Sequence, residues 1–138
     1  MADLVTSVSL SELIRHTASW LRNLHRASKE RKKESIDALR GVITASRKTA
    51  VYVRQLNKKR ERQFDRENEL SEMWTKLSFR LYDLGLPQLA KKCDMKGRHW
   101  ADPEQFDEKF LKQADLSLET MEKLAKQILK ELIKPKKK

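Results

Sequence analysis

At 138 residues, with three Gly, three Pro and a single Cys, the chain has room for one hydrophobic core and excludes a disulfide scaffold or two independent domains. Its formal net charge of +11 is not spread evenly: residues 22–66 hold 15 Lys/Arg against 5 Asp/Glu. No apolar run approaches the roughly 20 residues of a membrane-spanning helix, and the opening MADLVTSVSLSEL lacks the basic start and apolar core of a secretory signal.

With one cysteine and no such signal, the expected location is a reducing, cytoplasmic interior. KERKK and KPKKK are too short to decide for a nuclear address. Leu outnumbers Val plus Ile by 19 to 10, which favours helix over strand. Apolar residues recur at helical spacing, so the chain reads as folded. The expectation is an all-α bundle of four main helices with a short helical insertion around residues 86–114 and a long basic second helix. Residues 1–134 read as a single helical-bundle domain and 135–138 as a basic tail.

In chain order, Ser9 and Glu12 form a capping box that starts a first helix. Leu10, Leu13, Ile14, Leu21 and Leu24 then make its buried stripe, with Trp20 at the edge. SKERKKES, residues 28–35, has no apolar residue and is expected to be a turn. From Ile36 to Phe64, positions 36, 39, 43, 46, 50, 53, 57, 60 and 64 alternate three and four apart. They form a heptad seam that weakens toward its end and is widened on one flank by Val42 and Leu56. Thirty such residues make a rod of roughly 45 Å, long enough to overhang its neighbours and favour self-association into a homo-oligomer.

The break after this rod is expected at Asp65–Asn68. A third helix follows, with Leu70, Trp74, Leu77, Leu81 and Leu84 inward and Glu67, Glu69 and Glu72 near its positive end. Gly85 supplies a left-handed cap and Pro87 prevents continuation. A short helix around Gln88–Cys93 should end before a Gly97 turn, and Asp102-Pro103 restarts a helix with Phe106 and Phe110 inward. Ser117 caps the last helix, whose apolar face is Leu118, Met121, Leu124, Ala125, Ile128 and Leu132.

Chemistry is sparse. The chain has three His and one Cys, with no Cys-x-x-Cys or His-x-x-x-His pair and no Gly-rich phosphate loop, so neither a metal site nor a cofactor site is expected. Cys93 reads as a small core residue. Arg98, His99, Trp100 and Asp102 fall in an expected loop, with Trp100 plugging the core and His99 exposed, so no catalytic role is assigned and the protein reads as non-enzymatic.

The basic segment carries the functional expectation. Arg40, Arg47 and Arg54, one heptad apart after Lys33, stand beside the expected seam. There they suit either pairing with acids of neighbouring helices or tracking phosphates. Lys48, Lys58, Lys59 and Arg62 project away from that seam with no evident structural duty. Together these seven are the expected contacts to the backbone of DNA or RNA, with little sequence preference because Tyr52 and Phe64 are the segment's only aromatics. The alternative partner is an acidic protein surface. Neither a small-molecule substrate nor a transmembrane segment is expected.

Overall fold

The structure is a computed structural model that describes residues 18–106, 109 and 117–133. Five α-helices make up the described part: α1 (Ala18–His25), α2 (Lys29–Lys59), α3 (Phe64–Asp83), α4 (Pro87–Ala101) and α5 (Leu118–Ile133), with a 3-10 turn at Pro103–Gln105. The expected all-α bundle is what the chain forms. The Ser9–Glu12 box, Leu10, Leu13, Ile14, Phe110 and the Lys-rich tail lie outside the described residues, as does the Leu21 side chain.

SKERKKES is helix rather than turn. Ser28 stays extended and its hydroxyl accepts the Arg31 N–H at 3.2 Å, a side-chain cap, with Glu30 in the positive first turn. A stretch without apolar residues is therefore carried into a helix by its cap and by the 24 residues that follow it in α2. Ser35 is buried, its hydroxyl bonded back to the Arg31 carbonyl at 2.9 Å.

The buried seam of α2 runs one position earlier than expected. Ser35, Ala38, Val42, Ala45, Thr49 and Tyr52 are buried at alternating three and four spacing, flanked by Leu39 and Ser46. Ile36, Ile43 and Val53 are only half-buried, and Phe64 stands outside the helix, 73% exposed. Small residues cause the shift. Ala, Ser and Thr let neighbouring backbones approach closely, and the buried Thr49 hydroxyl accepts the Trp74 indole N–H at 3.0 Å while donating to the Ala45 carbonyl at 2.7 Å.

Helix α2 ends at Lys59, earlier than the expected break at Asp65–Asn68. Arg60 takes the left-handed conformation at φ 54° and its N–H closes on the Leu56 carbonyl at 2.7 Å. The break falls there because Glu67, an expected surface acid, is 3% exposed and belongs to the interior of α3. At its other end α3 stops as the sequence indicates. Gly85 sits at φ 86° and the Leu86 N–H bonds the Leu81 carbonyl at 2.8 Å, with Pro87 as the first residue of α4.

The expected Gly97 turn is absent, since α4 runs through it for 15 residues. A Cβ at Gly97 would lie 3.1 Å from the Ser71 carbonyl oxygen and 3.2 Å from the Thr75 nitrogen, so the glycine serves close approach to α3. Helices α3 and α4 form the most extensive contact in the described bundle, and α5 lies along α2. The residues around 86–101 are thus a full member of the bundle, not a short insertion. Asp102 makes no side-chain cap, and Pro103 opens a 3-10 turn that ends at Gln105.

Leu39, Val42, Trp74, Leu77, Leu81, Leu89, Cys93, Met121, Leu124 and Ile128 make the core, each worth roughly 1.5–3 kcal/mol of burial for the larger apolar side chains. Burial pushes the Cys93 thiol above its ordinary range, consistent with a packing residue. Helix α5 buries the face read from sequence, with Ser117 accepting the Thr120 N–H at 3.2 Å. Trp20 of α1 donates its indole N–H to the Leu84 carbonyl at 2.5 Å and sits against Gly85. No described helix is long and apolar enough to cross a membrane.

Candidate nucleic-acid interface

Moving the seam by one position turns the arginines outward. At 100° per residue, Arg40, Arg47, Arg54 and Lys58, with Lys48 and Lys59 at one margin, fall in a sector of about 140° centred opposite Val42 and Thr49. All six are exposed. No acidic residue occurs between Asp37 and Glu61, so nothing along this face of α2 neutralises them from within the helix.

Their partners differ. Arg47 reaches α5, where its guanidinium pairs with Glu122 at 3.1 and 3.3 Å, and Glu122 also takes Lys126 at 2.9 Å. Arg40, Lys48, Arg54, Lys58 and Lys59 have no ion pair among the described residues. Lys58 and Lys59 occupy the last turn of α2, where the helix dipole already favours cations.

Arg62 has a structural duty, contrary to the expectation from sequence. It clamps Glu67 with Nη2–Oε1 at 2.6 Å and Nε–Oε2 at 3.1 Å. The Tyr52 hydroxyl donates to the same carboxylate at 2.7 Å and accepts the Gln63 N–H at 3.0 Å. Burial works to raise the Glu67 carboxyl, but the hydrogen bonds from Arg62 and Tyr52 and the Arg62 charge outweigh it and hold the group below its ordinary value of 4.5. This network fixes the α2–α3 connection, with the Arg62 guanidinium 5.3 Å from the ring centroid of Phe64.

Of the concavities along α2, two open toward α3 and the connection that leads to it. One of about 480 Å³ lies between α2 and α3, where Lys48, Arg66 and Lys76 meet Glu69 and Glu72 around an apolar floor that includes Val51. Arg66 and Lys76 carry no signal of this in the sequence, because only the packing of α3 brings them beside Lys48. The other, about 440 Å³, opens at the connection between Arg62, Phe64 and the Trp100–Glu104 segment.

His99 lies on α4, not in a loop, and is half-buried rather than exposed. Its ring stacks on Trp100 at 4.8 Å and 3°, and lies 5.9 Å from the ring of Phe106. Trp100 meets Tyr52 edge to face at 5.6 Å. Burial, helped by the positive Lys96 nearby, lowers His99 from 6.5 to about 4, so it is neutral at pH 7. Its buried Nδ1 has no hydrogen-bond partner among the described residues. No cluster of three or more His, Cys, Asp or Glu able to hold a metal occurs among the described residues. No protein-family model, curated protein or solved structure matches the chain.

Proposed function

We propose that the protein is a non-enzymatic accessory protein that binds the backbone of nucleic acid through the solvent face of α2. The observation that carries the reading is the row Arg40, Lys48, Arg54, Lys58 and Lys59: exposed, without ion pairs among the described residues, and uninterrupted by acids from residue 38 to residue 60. Self-repulsion along such a row is relieved by a polyanion, whose condensed counterions are released on contact. The contacts proposed are to phosphates, which are the same at every base pair, so little sequence preference accompanies the binding.

The test is a salt titration. With about five phosphate contacts on duplex DNA, the logarithm of affinity falls against the logarithm of salt with a slope of about −4.5. A slope near zero, or no binding to DNA or RNA at low salt, overturns the reading.

The concavity between α2 and α3 favours a second reading, an acidic partner protein. Its apolar floor, with Val51 42% exposed, suits an amphipathic segment whose acids would reach Lys48 and Arg66 on a rim that also holds Glu69 and the Lys76–Glu72 pair. Association with an acidic protein that persists after nuclease treatment separates this reading from the first.

A further inference from the structure

Phe64 is the most exposed large hydrophobic side chain among the described residues, at 73%. It opens α3, and the Glu67 clamp one turn later holds the start of that helix to α2. Arg62 lies over its ring at 5.3 Å, so an aromatic surface and a guanidinium plane are presented together. Lys58, Lys59, Arg60 and Arg66, all exposed, flank the pair in sequence and outnumber the exposed acids Glu61 and Asp65. A lone exposed Phe is an ordinary surface feature, but one braced by an arginine and set among four further cations is a stacking platform in an electrostatic funnel.

Behind the ring lies the cavity of about 440 Å³, whose lining includes Phe64, Arg62, Asn68, Trp100, Asp102 and Glu104. Its volume is in the range of small-ligand pockets, about 300–1,000 Å³. Asp102 and Glu104 are exposed and repel phosphate, so a chain drawn in by the cations turns its backbone toward them and a base toward the cavity. Asn68 offers both a donor and an acceptor there. Bases of an intact duplex have both faces covered by their neighbours, whereas an unpaired base is free to stack.

We propose that the α2–α3 connection binds single-stranded nucleic acid, with one unpaired base stacked on Phe64 and Arg62 at the cavity mouth and its flanking phosphates on Lys58, Lys59, Arg60 and Arg66. This rests on the backbone binding proposed above and names the strand form that the same interface prefers. Stacking is tolerant of base identity, so it adds affinity without a sequence code.

The experiment measures fluorescence anisotropy of three labelled probes of equal length: a mixed-sequence single strand of about twelve nucleotides, its abasic counterpart and a blunt duplex. Wild type binds the single strand about tenfold more tightly than the abasic strand, as one stacked base predicts. Phe64→Ala brings that ratio to within about twofold while leaving abasic and duplex affinities and the helical circular dichroism unchanged, and Phe64→Trp restores it. Equal binding of base-bearing and abasic strands by wild type overturns the stacking site but leaves backbone binding standing. So does a Phe64→Ala loss that is the same for both strands. Failure to bind any of the three at low salt overturns the backbone reading itself.

Discussion

The Tyr52 hydroxyl donates to the Glu67 carboxylate across 2.7 Å, joining two buried side chains that lie fifteen residues apart on consecutive helices. Because the same hydroxyl accepts the Gln63 N–H and the same carboxylate takes Arg62, one phenol oxygen ties the end of α2 to the beginning of α3. Tyr52→Phe removes a hydrogen bond to a charged group and strands a backbone donor, so it lowers unfolding free energy by about 1–3 kcal/mol. The urea midpoint checks this, with the slope of the transition unchanged.

Acidification weakens the fold in two stages. His99 titrates near 4 in the folded protein against 6.5 ordinarily, so between those values the unfolded chain holds a proton that the folded chain refuses, and stability falls as pH falls through that window. Glu67 is held below its ordinary 4.5, so its contribution is present above that value and is lost as pH drops through the lower, folded pKa. Urea midpoints at several pH values read the slope. His99→Gln flattens the upper stage alone.

Charge reversal separates phosphate binding from architecture. Lys48→Glu, Lys58→Glu and Lys59→Glu together abolish nucleic-acid binding at moderate salt, and each phosphate left without its cation reduces the salt slope by about 1. Their cost to the fold is confined to the last turn of α2, about 0.3–1 kcal/mol from the helix dipole. Arg62→Glu behaves differently: it sets a second carboxylate against the buried Glu67 and removes the cation that compensates it, so it lowers the thermal midpoint by more than the three reversals combined.

Gly97→Ala tests the packing of α3 on α4. Alanine is the better helix former by about 1 kcal/mol, yet here its methyl meets the Ser71 carbonyl and Thr75, and overpacking of this kind costs about 1–3 kcal/mol. A lower thermal midpoint is expected. A higher one would show that α3 and α4 separate without penalty.

Much of the fold was legible because capping and apolar stripes are local. Ser117, Gly85 and Pro87 mark helix ends where they stand, and the inward faces of α3 and α5 follow from leucine spacing alone. What the sequence hid was non-local. A seam of Ser, Ala and Thr has less hydrophobic signal than the Ile residues beside it, and only packing against Trp74 and the neighbouring helices explains why the smaller side wins. Gly97 reads as a turn until α3 is placed against it. Arg62 and Lys58 are both exposed cations by pattern, and the buried acid five residues past Arg62 is what tells them apart. Phe64 looks like the last residue of a seam, although it is the first residue of the next helix and faces water.

The three indoles of the chain stand at three different junctions. Trp20 touches the turn after α3, Trp74 bonds Thr49 across α2 and α3, and Trp100 lies between Tyr52 and the cavity behind Phe64. Variants that keep one of them each would give an emission spectrum belonging to one joint of the molecule. The undocking of α1, the parting of the central helices and the arrival of an oligonucleotide would then register at separate wavelengths and intensities, without an added dye.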